Sequence, residues 1–430
     1  MQRRTVITAI ALIGSLTLAA CSGERTPSAD GPVELTMWSW ASLQNVAEMW
    51  NADHPDIKVT VQEQGGGDDL VTKVITAAKS GGGPELVQAE YQMIPTLVSN
   101  DVLTDVAEFA GDAKPKFTDN VWKQVSLDSP AVYAIPQDTA PLAFFYREDL
   151  FTQFGLTVPK TWSEFADTAR LLRQKDPARA LTTFSSNDAG LFAGLSQQAG
   201  STWWRASGDS WKVAIDDEAS RKVADFWGGL VKDGLIDSQP MYTPAWNKAL
   251  NDGSQLAWVS AVWAPGTLTT SAPDTKGKWK MAPIPQWSAG SAVTGSWGGS
   301  ATGVTAKAAK DGKAQAATKF ATWLNTDPKA VAALVKEAGV YPAATAAQSG
   351  GALTTPEFFP NQPDFYRLAA DIAKGTAAAG WGPNVNVAYG TFKDAFGKAV
   401  TEKTPFPAAL KAMQEATVAD MKKNGFKTEG

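Results

Sequence analysis

The chain has 430 residues, 44% of them hydrophobic, and 39 Lys and Arg stand against 44 Asp and Glu for a net charge of −5. That length supports one or two full-sized cores, and the mild acidity argues against nucleic acid or an anionic membrane surface as the ligand. A single cysteine excludes a disulfide framework.

Residues 1–20 are expected to be a secretory signal. Arg3 and Arg4 supply its positive end, and the apolar run over 6–18 is too short to span a bilayer. The arginine pair also leaves twin-arginine export open. Leu18-Ala19-Ala20-Cys21 has the form of a lipobox, so the mature chain is expected to begin at Cys21, lipidated on its thiol and held on the outer face of the cell membrane. Residues 21–32 are polar and rich in Gly, Pro and Ser, the composition of a flexible tether.

Folded structure is expected from Val33. Val33, Leu35 and Met37 alternate with Glu34 and Thr36, the period of a strand, and Leu43, Val46, Ala47 and Trp50 then fall at helical spacing. Ile57, Val59 and Val61 alternate in a second strand. A helix over 68–79 stops at Gly81-Gly82-Gly83-Pro84, and Leu86-Val87 begins a short buried strand. This alternation of strand and helix implies a mainly parallel sheet with helices on its faces.

Apolar runs over 132–136 and 142–146 are divided by Gln137-Asp138-Thr139-Ala140-Pro141. Thr161 and Glu164 are spaced as a capping box ahead of the stripe Trp162, Phe165, Ala169 and Leu172. A helix over 216–233, strands over 278–284 and 300–304, and helices over 314–325, 363–374 and 405–423 follow. No Gly- or Ser-rich linker separates the two α/β lobes.

Seventeen tryptophans against seven tyrosines is the oddest feature of the composition. Trp50, Trp162 and Trp227 sit on helical stripes and are expected in cores. Trp122, Trp211, Trp258, Trp279, Trp287 and Trp323 are assigned to packing or surface.

Taken in order, several stretches resemble the family-one solute-binding proteins of ABC sugar importers, relatives of maltose-binding protein. They are Glu34 to Trp40, Trp50 to Val59, Pro84 to Gln88, Asn100 to Leu103, Tyr133 to Asp138, Phe144 to Phe151, Val158 to Phe165 and Gly298 to Val304. The resemblance implies a two-lobed α/β clamshell of the type II periplasmic-binding-protein kind, each lobe a mainly parallel sheet with flanking helices. Lobe one would be 33–138 and 299–340, and lobe two 143–297 and 345–430. Three crossings would serve as hinges near 139–143, 298–303 and 340–345.

The family binds its ligand between the lobes, and open α/β sheets bind at the carboxyl ends of their strands. The ligand-binding candidates are therefore Trp38, Trp40, Glu90, Tyr91, Gln137, Asp138, Trp203, Trp204, Trp246, Trp263, Trp297, Gly298 and Trp381. Aromatic faces suit the C–H face of a pyranose, and carboxylates accept from paired hydroxyls. The implied function is capture of a di- or oligosaccharide and its delivery to an ABC permease, by a monomer without cofactor or metal. Core packing for the tryptophans, a solvated turn for Asp138 and a helix cap for Glu90 and Tyr91 are the competing readings.

An enzyme is not expected. His54 is the sole histidine and precedes Pro55, Cys21 is assigned to lipid, and Gly298 to Thr302 misses the nucleophile-elbow pattern at its last position. A secreted glycoside hydrolase needs only two carboxylates, so it remains an alternative, as does a lipoprotein binding something other than sugar.

Overall fold

The computed structural model describes residues 31–349 and 353–429. The expected signal, Cys21 and the tether up to Asp30 lie outside them. Eleven strands are found among the described residues: β1 Val33–Ser39, β2 Ile57–Glu63, β3 Leu86–Glu90, β4 Ala134–Pro136, β5 Leu142–Arg147, β6 Trp204–Ser207, β7 Ser210–Val213, β8 Ala257–Ala261, β9 Trp279–Pro283, β10 Ser300–Val304 and β11 Lys427–Glu429.

The first sheet has the order β2-β1-β3-β10-β4. The β1 strand pairs in parallel with β2 and β3, while β10 runs antiparallel to both β3 and β4. Leu35, Met37, Ile57, Val59, Leu86, Ile135, Ala301, Phe320 and Leu334 belong to one hydrophobic core about it. Glu85, at the start of β3, is buried and fastens this core. It accepts from the Thr36 amide at 2.8 Å and pairs with Lys307 at 2.6 Å and Lys313 at 3.1 Å. Burial pushes its carboxyl up, but these partners outweigh it and hold it below the usual range.

The second sheet has the order β8-β5-β9. Phe144 and Phe145 of β5 join Trp162, Phe165, Trp227, Trp258, Phe392 and Leu410 in a second core. Trp50, Trp162 and Trp227 are buried as their helical spacing predicts. Thr161 caps its helix by accepting from the Glu164 amide at 3.2 Å, and Glu164 reaches back to the Lys160 amide at 2.7 Å, one residue beyond the expected box.

The expectation of a mainly parallel sheet holds for β2, β1 and β3 of the first lobe, and the returning β10 makes the other two pairs antiparallel. In the second, β5 pairs antiparallel with both neighbours, and parallel pairing is confined to bridges such as Ala180–Gln255 and Thr183–Asp237. The chain leaves the first core through Pro141 into β5 and returns through Ser296, and Pro141 and Ser296 form an antiparallel bridge.

The third sheet, β11-β7-β6, and the helices Pro328–Ala338 and Val385–Glu402 were not expected from the sequence. Among the described residues no helix is long and apolar enough to cross a membrane.

Candidate functional site

The crossings form a small hydrogen-bonded ribbon. Asp138 and Gln137 donate backbone N–H to the Ser300 carbonyl, Thr139 donates to the Tyr341 carbonyl at 2.8 Å, and Trp297 to the Ala140 carbonyl at 3.0 Å. Gly298 and Gly299 have φ of 84° and 90°, a backbone that disfavours a side chain. A Cβ on Gly299 would stand 2.9 Å from the Tyr91 ring.

Asp138 lies at the centre of this ribbon. Its Oδ1 accepts from both the backbone N–H and the hydroxyl of Ser300, and its own carbonyl accepts from the Tyr91 hydroxyl at 2.9 Å. Burial raises its carboxyl to about 6, against the lowering effect of the Ser300 hydrogen bonds. Tyr91 is 2% exposed, and burial followed by the Asp138 charge holds its phenol well above the ordinary range. Gln137 is fully buried, its Oε1 accepting from Thr302 at 3.1 Å. These three residues build the crossing.

Beside the second crossing, groups from both cores come together. Trp263 donates its indole N–H to the Trp297 carbonyl at 2.9 Å, and the two rings meet edge to face at 4.9 Å. A Cβ on Gly298 would lie 3.8 Å from Glu90 Oε1 and 3.9 Å from Trp263 Nε1, so the carboxylate at the end of β3 and the second lobe's tryptophan both border this glycine. Tyr242 completes the cluster. It is 47% exposed with φ of 63°, and its ring stands edge-on to Trp246 at 5.4 Å. Desolvation by the surrounding protein, then the negative charges of Asp188 and Glu90, push its ionisation well up. Asp188 is the cap of the Ala189–Gln198 helix, accepting from the Gly190 amide at 2.9 Å. Gly190 must be glycine because a Cβ there would fall 2.7 Å from the Trp297 ring.

Of the residues expected from the sequence, Glu90, Trp263, Trp297 and Gly298 stand in this cluster, and Tyr91, Gln137 and Asp138 in the crossing; Asp188 and Tyr242 stand in the cluster without having been expected. Both missed residues stand at helix starts, where a short acidic residue and an aromatic before Thr243-Pro244 have ordinary local explanations. The remaining candidates lie elsewhere. Trp203, Trp204 and Trp246 are buried in the second core. Trp38 bonds Gln62 across β1 and β2 at 2.9 Å, and Trp40 rests half-buried near Gly66. Trp381 donates to Gln124 of the first lobe at 3.3 Å. Among the described residues there is no group of three His, Cys, Asp or Glu placed to hold a metal.

Residues 40–331 match the family of bacterial extracellular solute-binding proteins, and the chain belongs to it. It is 26% identical over 410 residues to the lactose-binding protein of Rhizobium radiobacter, covering 88% of each chain. It is 23% identical over 319 residues to the arabinooligosaccharide-binding protein of Bacillus subtilis (strain 168), covering 70% of this chain and 72% of that one. Its fold is similar to the galacto-N-biose-/lacto-N-biose I-binding protein of the ABC transporter from Bifidobacterium longum, with a TM-score of 0.83, 25% identity, and coverage of 94% and 100% of the two chains. The two-lobed type II architecture is thereby established.

Proposed function

We propose that this protein captures a di- or oligosaccharide between two closing lobes outside the cytoplasm and passes it to the membrane subunits of an ABC importer. The observation that carries this reading is that Glu90 of the first lobe and Trp263 of the second both border Gly298, with Asp188 beside the neighbouring Trp297 ring. Two aromatic rings offer platforms to pyranose faces, and two carboxylates from opposite lobes accept from sugar hydroxyls. Contacts from both lobes exist together only when the groove is closed, so the sugar shifts the population toward closure. The lobes are 33–138 with 299–340 and 143–297 with 345–430, a division supported by the two separate cores. Lipid on Cys21 would keep the receptor beside its permease.

The names of relatives add support: one binds lactose, another arabinooligosaccharides, and a related structure from B. animalis holds β-1,6-galactobiose. The test is a thermal-shift screen of the leaderless protein over lactose, lacto-N-biose, β-1,6-galactobiose and arabinooligosaccharides, with the sugars analysed afterwards. A raised melting temperature with intact sugar is expected. Cleaved sugar would replace the binding reading with a hydrolase, and no shift with any sugar would refute it.

A further inference from the structure

The turn Tyr91–Met93 follows β3 and leads into the Ile94–Ser99 helix of the first lobe. Its three side chains go three ways. Tyr91 donates its hydroxyl to the Asp138 carbonyl in the crossing, and Gln92 donates to Glu90 at 2.9 Å. Met93 is 1% exposed, yet it belongs to the core of the second lobe, the one that holds Trp258, Phe392 and Phe396.

Local geometry explains the split. Tyr91, Ile94 and Leu97 recur every three residues, so they share a face, and all three lie in the first core. Met93 precedes Ile94 by one residue and is turned off that face by about 100°. The turn packs on the Val385–Glu402 helix, whose buried residues include Val385, Ala388, Phe392 and Phe396. A second first-lobe residue reaches across in a milder way. Val71 of the Asp68–Lys79 helix is half-buried and packs against both cores.

We propose that Met93 is a positioning residue for lobe closure, plugged into the second lobe without touching the sugar. This rests on the closing-lobe reading above. Apolar surface withdrawn from water favours the arrangement that withdraws it, so burial of Met93 favours lobes held together. An unbranched, polarisable thioether suits a contact that parts and re-forms, since it fills an irregular gap in several rotamers. The contact is made by protein alone. It therefore adds the same free energy to the closed form whichever sugar is held. Apparent affinity scales with the fraction of protein that is competent to bind, so a weakened plug lowers every affinity by one factor. A residue that touched the sugar would cost different sugars differently.

The test is calorimetric titration of leaderless wild type, Met93→Ala and Met93→Leu with each sugar of the screen that wild type binds. Met93→Ala should weaken all of them by a common factor of about tenfold or more. Met93→Leu, similar in volume, should restore affinity to within about threefold. At saturation the variants should scatter X-rays with the wild-type radius of gyration. Should Met93→Ala fail to fold, Val71→Ser gives the same test at a half-buried site, with a common factor of about threefold. Factors that differ several-fold from sugar to sugar would make Met93 a sugar contact. Unchanged affinities beside a lowered melting temperature would make it core packing alone. Either result overturns the proposal. If wild type binds none of the sugars, the closing-lobe reading falls and this proposal with it, whereas any pattern of loss on a bound sugar bears on Met93 alone.

Discussion

Trp263 donates its one polar hydrogen to the Trp297 carbonyl, which fixes the ring; in the proposed groove its apolar surface would meet the sugar. Trp263→Ala should therefore weaken the best sugar of the screen by about tenfold or more in calorimetric titration, while the fold survives. Glu90→Gln and Asp188→Asn should each cost about 1.5 kcal/mol of binding, since a charged acceptor becomes neutral. Asp138 makes a different prediction. Its carboxyl is raised to about 6 from an ordinary value near 3.8. Between those values the folded protein holds a proton that the unfolded chain releases, so this group's contribution to stability falls as pH rises through the window. Wild type should lose stability relative to Asp138→Asn between pH 4 and 6, and the difference should be flat above 7. A constant difference across the series would contradict the assignment. The place of Asp138 between β4 and β5 was legible because it stands between two apolar runs; its hydrogen bonds to Ser300 were not. Trp204 and Trp246 were misleading, since they stand in apparently irregular sequence yet belong to β6 and to the Pro244–Asp252 helix.

At the level of elements, the crossings depend on backbone that only glycine adopts easily. Gly299→Ala meets both an unfavourable φ and the Tyr91 ring, and should destabilise by about 2 kcal/mol in urea unfolding. Gly266→Ala, in the Ala264–Ser271 helix with open space around it, should instead be neutral or stabilising by about 0.5 kcal/mol. Glu85→Ala should cost about 3 kcal/mol, because two lysines and the Thr36 amide lose their common acceptor. Strands that alternate cleanly, such as β1 and β2, were readable to within two residues. The Val385–Glu402 helix was not, since Gly390 and Gly397 interrupt its pattern. Its packing on the Phe406–Lys423 helix supplies what local propensity lacks. The antiparallel pairing of β5 was equally hidden, because its partners β8 and β9 lie more than a hundred positions along the chain.

For the molecule as a whole, the proposed reading makes anchor and groove separable: lipid at Cys21 would decide where the receptor stands, and the groove what it holds. A leaderless Cys21→Ala protein should bind the same sugar with unchanged affinity, and its failure to do so would join two parts kept distinct here. Closure is the claim on which the transport function depends. Small-angle X-ray scattering of the leaderless protein, without sugar and saturated with the best sugar of the screen, measures it directly. The radius of gyration should fall on binding in wild type. An unchanged radius at saturation would contradict a mechanism in which two lobes close upon the ligand.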